Sequence, residues 1–169
     1  MSRFVPPPRP SLLGRIFGSS DDNLRELDRW IEETLKGGFE VDEVVRDDDG
    51  DIPVRYGSTL VFIRTEGGEP LSIHVSAPLL VDFQMCPEVF EAANAINQKI
   101  LRAKAVVEAD DAEIALEADL FVFDGISSDD LLFTIELVGE LADEYGPRLQ
   151  ERFGGRTVFD DEGGDEFDV

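Results

Sequence analysis

One stretch constrains the fold more than any other: AVVEADDAEIALEADLFVF, residues 105–123. Its apolar residues fall at every second position and so share one face of a strand: Ile114, Leu116, Ala118, Leu120 and Val122. The pattern predicts a hairpin, with a strand over about 103–109, a turn at 110–112 and a second strand over about 113–123. Period two is what a hairpin with one buried face requires.

The acids of this stretch could instead form a metal site or a pair of catalytic carboxylates. Glu113, Glu117 and Asp119 fall opposite the apolar face, which is typical of the solvated side of a two-stranded ribbon. A catalytic carboxylate needs enough burial to raise its pKa, and the alternation argues against burial. An enzyme that uses carboxylates and a divalent metal is therefore a minor hypothesis.

Helical and β-rich segments flank the hairpin. Apolar residues at helical spacing predict a first helix after Asp22 that ends at Gly37 and Gly38, a second from Pro87 to about 102, and a third that reaches Phe153. Short β-rich runs over 39–83, including FEVDEVV (39–45), predict at least three antiparallel strands, and Pro53 favours a sheet edge for its strand.

The predicted order is α-β-β-β-α-β-β-α. Strands do not alternate singly with helices, so the sequence favours the α+β class, an antiparallel sheet with helices packed on it. We assign residues 21–155 to this domain. Residues 1–20, with PPPRP, are predicted to be a Pro-rich flexible leader. Residues 156–169 are predicted to be an acidic disordered tail.

Charge excludes some partners. The formal net charge is −23 and the pI is about 4.1, so the surface repels nucleic-acid phosphates and anionic lipid headgroups. Protein partners, basic ones above all, remain open. A single cysteine, Cys86, allows no intrachain disulfide, and we expect a cytoplasmic protein without a membrane span.

Few residues could carry chemistry. The only thiol and the only imidazole, Cys86 and His74, are expected to be a half-buried loop cysteine and a surface histidine rather than a dyad. Structural zinc lacks ligands, and the EF-hand pattern aligned on Gly50 fails at two essential oxygens. Asn94 and Asn97, one helical turn apart, are expected to bond nearby backbone rather than a ligand.

The stretch NAINQKILRAKAVVEADDAEIALEADLFVFDGISSDDLLFTIELVGELADEYGPRLQERFGG, residues 94–155, resembles the YbjN-like proteins of actinobacteria, which are related in fold to type III secretion chaperones. The resemblance extends over about 22–155. It implies the same element order, a cytoplasmic location, a homodimer as in the secretion chaperones, and binding of extended segments of partner proteins. It implies no catalytic residue and no cofactor, and Asn94 and Asn97 match as structural signature positions.

The leading hypothesis is therefore a non-enzymatic, chaperone-like domain that binds a protein or peptide client, with basic clients favoured. Phe121 and Phe123 interrupt the polar side of the last strand and are the candidate contact patch. Cover by a helix or by the leader is the alternative interpretation of these two residues. The alternative function is that of a regulatory or scaffold protein that acts through its leader or its tail.

Overall fold

The computed structural model describes residues 2–6, 19–40 and 42–158. The helices among them are α1 (Ser19–Phe39), α2 (Pro87–Asn97) and α3 (Ser128–Phe153). The strands are β1 (Arg3–Phe4), β2 (Ile52–Tyr56), β3 (Thr59–Glu66), β4 (Leu71–Val81), β5 (Lys104–Glu108), β6 (Glu113–Val122) and β7 (Ile126–Ser127).

Five of these strands form one antiparallel sheet in the order β2-β3-β4-β6-β5. The hairpin predicted from the alternation is confirmed as β5 and β6, and Pro53 lies in the edge strand β2, as predicted. The α+β class and the predicted order are confirmed, with two short strands, β1 and β7, added to it.

The core lies between one face of the sheet and the helices. Most of the buried strand residues share that face and pair across the strands with one another; examples are Ile63, Val75, Ala118 and Leu116. α3 packs against the central strands, α2 packs against β5, and α1 contacts β3 and α3. No helix in the described part of the chain is long and apolar enough to cross a membrane.

Two helix ends differ from the prediction. α1 does not end at its glycines but continues through Gly37 and Gly38 to Phe39, before Glu40 takes a left-handed φ of 53°. α2 ends at Asn97, several residues early, because the side chain of Asn97 bonds the backbone of Ala105 in β5 and the chain turns there.

The prediction of at least three antiparallel strands over 39–83 is confirmed by β2, β3 and β4. The β-rich run FEVDEVV is not one of them, since its described residues form no strand. Val44 is half-buried against the core, whereas its neighbour Val45 is 69% exposed, so only one of the two valines packs on the core. The loop is held instead by Arg46, which donates to Asp28 and Glu32 of α1 at 3.1 Å each.

The terminal segments contain more structure than their composition predicts. β1 pairs with β7 as a separate two-stranded sheet, so residues 3–4 are not free of strand structure, and α1 begins at Ser19. Arg156 forms an isolated bridge with Val81. Residues 7–18, with most of PPPRP, and residues 159–169 of the acidic tail lie outside the described residues.

Candidate functional site

Phe121 and Phe123, the predicted contact patch, lie side by side at the end of β6. Their ring centroids are 6.1 Å apart, and the side chains are 56% and 62% exposed. Phe121 is on the face of the sheet opposite the helices, since it alternates with Leu120 and Val122, which pair with core residues of β4. No helix and no described part of the leader covers the two rings, so this aromatic pair is an exposed apolar surface.

Beside the aromatic pair, one edge of β6 is open. β5 has five residues and β6 has ten, and β5 pairs only with residues 113–117 of β6. From Ala118 to Val122, β6 pairs with β4 on one side, and the described strands provide no partner on the other. Alternate backbone N–H and C=O groups along this edge can therefore accept another strand.

A groove of about 350 Å³ follows this open edge, and we call it the β6 groove. It lies between the strand and the start of α3, and its lining residues are Arg102, Ala118, Asp119, Leu120, Phe121, Gly125, Ile126, Asp130 and Thr134. Its walls combine an unpaired backbone edge with apolar and charged side chains. Such a combination suits an extended polypeptide better than a compact polar metabolite.

One lining residue, Arg102, contacts an aromatic side chain of α3 outside the lining. The guanidinium of Arg102 lies over the ring of Phe133, 5.4 Å from its centroid, and Phe133 is 48% exposed. Leu101, next to Arg102 in the chain, is 81% exposed. The stacked pair gives a cation and an apolar ring at one position, while Asp130 adds an acid to the wall.

Helix capping fixes the α3 wall. Ser127 is the N-cap of α3 and accepts the backbone N–H of Asp130 at 3.1 Å, while its own hydroxyl donates to the Asp130 carboxylate at 2.6 Å. Thr134 donates its hydroxyl to the Asp130 carbonyl at 2.8 Å. These capping bonds hold the Asp130 carboxylate in place at the start of α3.

The acids of β6 follow the strand alternation, and most have a partner. Glu117 accepts from Lys104 of β5 at 3.0 Å, and Asp119 lies 2.8 Å from Nδ1 of His74 on β4. The Lys104 pKa is raised, first by the hydrogen bond to Glu117. These pairs lie on the face opposite the helices, so the ribbon interpretation is confirmed for Glu117 and Asp119.

Glu113 departs from this pattern. It pairs directly across the strands with Glu108, is half-buried, and has a raised pKa, mainly because of desolvation and then because of the charge of Asp111 and Glu108. The alternation did not predict partial burial of an acid here. Glu113 lies at the turn end of β6, far along the strand from the open edge, and it does not line the β6 groove.

The two asparagines have separate environments. Asn97 donates Nδ2 to the carbonyl of Ala105 at 3.0 Å and accepts the Ala105 N–H at its Oδ1 at 2.6 Å. Asn94 is exposed and contributes its backbone carbonyl to the N–H of Gln98. Asn97 thus joins α2 to the first residues of β5 and fixes where β5 begins to pair with β6.

Other candidates for chemistry do not come together. His74 bonds Asp119, whereas Cys86 is the half-buried N-cap residue of α2. In residues 2–6, 19–40 and 42–158, no group of three or more His, Cys, Asp or Glu side chains could hold a metal ion.

The aromatic pair is visible in the sequence, but the groove beside it is not. The open edge results from the unequal lengths of two strands, and the predicted arms, 103–109 and 113–123, already differed by several residues. Such an overhang in a predicted hairpin is the signal that could have found the site. The start of α3 as its other wall depends on tertiary packing, which periodicity does not specify.

The sequence and the fold are similar to those of known proteins. The family model described as "T3SS (YopN, CesT) and YbjN peptide-binding chaperone 1" matches residues 25–161. Among solved structures, a chain of the HopA1-SchA chaperone-effector complex is similar, with a TM-score of 0.54 and 9% identity over 82% of this chain and 99% of that one.

The Yersinia pestis type III secretion chaperone SycH, solved with a stable fragment of YscM2, is also similar. Its TM-score is 0.49 at 14% identity, over 68% of this chain and 95% of that one. The search of curated proteins gave no match. The family match covers most of the chain, and the similarity to the HopA1-SchA structure shows a shared fold.

Proposed function

This chain belongs to the family of T3SS (YopN, CesT) and YbjN peptide-binding chaperones, and on that premise we propose that it binds an extended segment of a partner protein in the β6 groove. One observation carries the proposal: among the described strands β6 has no partner on one side from Ala118 to Val122, and the exposed Phe121 and Phe123 border that edge. The role is one of binding, without a chemical step.

Backbone pairing supplies affinity at such an edge. A client strand beside residues 118–122 would add its own N–H and C=O groups to the ladder, over roughly 17 Å at about 3.3 Å per residue. Its side chains would alternate between the groove and the face that carries Phe121. The site therefore favours apolar residues at alternate positions of the client, and it leaves the intervening positions free.

Charge selects among such clients. Asp119 and Asp130 line the groove against one cation, Arg102, and the whole chain has a net charge of −23. A field of this sign attracts basic segments and repels acidic ones, which acts on the association rate more than on the final affinity. We therefore expect clients with Lys or Arg beside their apolar residues.

Immobilised twelve-residue peptides of varied charge and hydrophobicity provide the probe. Replacement of both Phe121 and Phe123 by Ala should weaken binding of the selected peptides by roughly tenfold or more, since two exposed anchors are lost. Phe90→Ala is the matched control, because Phe90 is a 49% exposed phenylalanine on α2. Equal binding by the double variant and the wild type would move the site elsewhere.

A second arm tests backbone pairing. The best peptide is resynthesised with N-methyl groups at alternate backbone positions, in two registers. One register should abolish binding because it removes the N–H groups that pair with β6, and the other should bind nearly as the parent does. If both registers bind equally well, the peptide does not add a strand to the sheet.

The proposal includes a cytoplasmic location and a homodimer, both supported by resemblance to secretion chaperones. Light scattering over a range of concentrations measures the stoichiometry, and cell fractionation the location. The alternative function is that of a regulatory or scaffold protein that binds its partners through its termini, mostly through residues 7–18 and 159–169. Truncation of each terminus, followed by the same peptide assay, distinguishes the two: loss of binding by an intact domain would favour the termini.

A further inference from the structure

A second strand edge lies at the end of the sheet near β6, and the chain fills it with its own leader. β1 pairs antiparallel with β7, with Arg3 opposite Ser127 and Phe4 opposite Ile126. Ile126 also lines the β6 groove, so the two sites share a wall. We call the site that β1 occupies the β7 groove; the side chains that contact β1 come from α1, β7 and the start of α3.

Each of three consecutive leader residues makes its own contact. Ser2 exchanges hydrogen bonds with Ser128, donating its N–H to the hydroxyl at 3.1 Å and accepting the Ser128 N–H at its carbonyl at 2.9 Å. The Ser2 hydroxyl accepts the indole N–H of Trp30 at 2.9 Å. Arg3 donates to the carbonyl of Asp124 at 3.3 Å.

The aromatic residue makes the apolar contact. Phe4 is 7% exposed and its ring centroid lies 5.9 Å from that of Trp30, which is 8% exposed. The carbonyl of Phe4 lies so close to Gly125 that a Cβ there would come within 2.5 Å of it. Val5, the next residue, is 61% exposed. Recognition is therefore concentrated in a tripeptide of small polar, basic and aromatic residues.

The contact is small enough to be reversible. The ladder is two residues long, and an isolated two-stranded ribbon of this size is marginally stable. One buried aromatic ring and a few hydrogen bonds must offset the entropy lost when the leader is ordered. Segments held by so few contacts open locally while the rest of a domain stays folded.

We propose that the β7 groove is a binding site for extended peptide segments with small polar, basic and aromatic residues in succession, and that the leader is an exchangeable intramolecular ligand of it. The inference goes beyond the proposed function, because it concerns a different strand edge with a different sequence preference. A partner segment of the same pattern displaces the leader and takes over its backbone bonds with β7 and α3.

Peptide complementation tests the site. A chain that lacks residues 1–6 is titrated with the peptide SRFVP, and Trp30, the only tryptophan in the sequence, reports binding by its fluorescence. Removal of the leader should shift the Trp30 emission to the red, and SRFVP should reverse the shift. The control peptide SRAVP, without the aromatic ring, should bind at least about tenfold more weakly. An unchanged Trp30 signal, or equal binding of both peptides, overturns the proposal.

Two measurements keep the test decisive if truncation perturbs the fold. Phe4→Ala in the full chain releases the leader without removing it, and SRFVP should restore the Trp30 signal of that variant too. In the unmodified chain, the Ser128 amide should exchange with deuterium at least about 100-fold faster than the central amides of β4. Equal deuterium-exchange rates, or a truncated chain that is unfolded, would show that the leader is a fixed part of the fold. Either result would contradict the proposal that a partner segment displaces it.

Discussion

Two strand edges lie at one end of this molecule, and they are left in opposite states. The edge of β7 is filled by two residues of the leader, whereas the edge of β6 from Ala118 to Val122 has no partner among the described strands. The filled edge places one aromatic ring, Phe4, in the core at 7% exposure. The open edge carries Phe121 and Phe123 in solvent at 56% and 62%.

The two proposed binding sites would therefore depend on different contacts. The β7 groove has a deep contact for one ring, through Trp30, and a ladder too short to bind alone. The β6 groove has a longer backbone edge and only shallow apolar contacts. An open edge is a liability that proteins usually cover or charge. An edge that the described strands leave without a partner, and that aromatic residues border, therefore supports the proposed docking site.

Gly125→Ala should have the largest effect, because it would make the filled edge resemble the open one. Gly125 has φ 121°, and a Cβ there would approach the Phe4 carbonyl to 2.5 Å. We expect a loss of about 3 kcal/mol from strain together with expulsion of β1. Urea denaturation measures it. Gly50→Ala is the matched control, since Gly50 has φ 89° but no neighbouring atom within 4 Å, and it should cost less.

The same glycine variant carries a test of mechanism. If β1 is expelled, adding Phe4→Ala to Gly125→Ala should cost less than about 0.5 kcal/mol more, because the ring is already out of the core. Full additivity of the two substitutions would show that the leader stays bound in the glycine variant, and the strain argument would then apply to β7 alone.

Phe4→Ala and Phe121→Ala compare one substitution at the two edges. The first removes a buried ring and should lower the free energy of unfolding by about 2 kcal/mol, with a red shift of Trp30 emission. The second removes an exposed ring and should stay within about 0.5 kcal/mol of wild type. A Phe121→Ala variant destabilised as much as Phe4→Ala would mean that the ring is covered in solution and is not available to a client.

Asn97→Ala tests what keeps the β6 edge open. Asn97 binds both backbone groups of Ala105, at 2.6 and 3.0 Å, and so fixes the start of β5. Its loss should cost about 1.5 kcal/mol, since it leaves a partly buried donor and acceptor without their partners. Asn94→Ala, at an exposed position of the same helix, should change stability by less than about 0.5 kcal/mol. Equal effects would make Asn97 an ordinary surface residue.

How much of this could be predicted from the sequence depends on the length of each element. β6 has ten residues and α3 has 26, long enough for a clear period of two and of 3.6. The hydrophobic pattern therefore predicts both elements and the apolar face of the hairpin. β1 and β7 have two residues each, too few for any period, and they depend on contacts across the fold such as that of Phe4 with Trp30. Likewise, Val44 and Val45 have β propensity, but Arg46 holds their segment as a loop against α1.

The site was predicted in part for the same reason. Phe121 is visible in the sequence because it breaks an alternation, which is local information. The open edge beside it depends on where β5 begins, because Lys104 pairs with Glu117, and therefore on the side chain of Asn97, eight residues before Ala105. The sequence predicts that the Asn97 side chain bonds nearby backbone. Residue spacing does not show that the partner is Ala105, and so it does not show the effect on the β6 edge.

The smallest effect is expected at the paired end of β6, which contrasts with its open end. Glu113 faces Glu108 across the strands, and desolvation together with the charge of Asp111 and Glu108 raises its pKa. A carboxyl with a raised pKa in the folded state holds its proton more tightly when folded. The charged form therefore lowers stability at neutral pH, and stability is regained as the pH falls through the raised pKa.

Glu113→Gln should accordingly stabilise the protein by about 0.5 kcal/mol at about pH 7, because like charges directly opposite each other repel. The gain should shrink as the pH falls and vanish below about pH 4, the ordinary range for Glu, where wild-type Glu113 is neutral as well. Urea denaturation over this pH range measures the difference between the two proteins. A gain independent of pH would assign the effect to packing, and binding in the β6 groove should be unchanged because Glu113 does not line it.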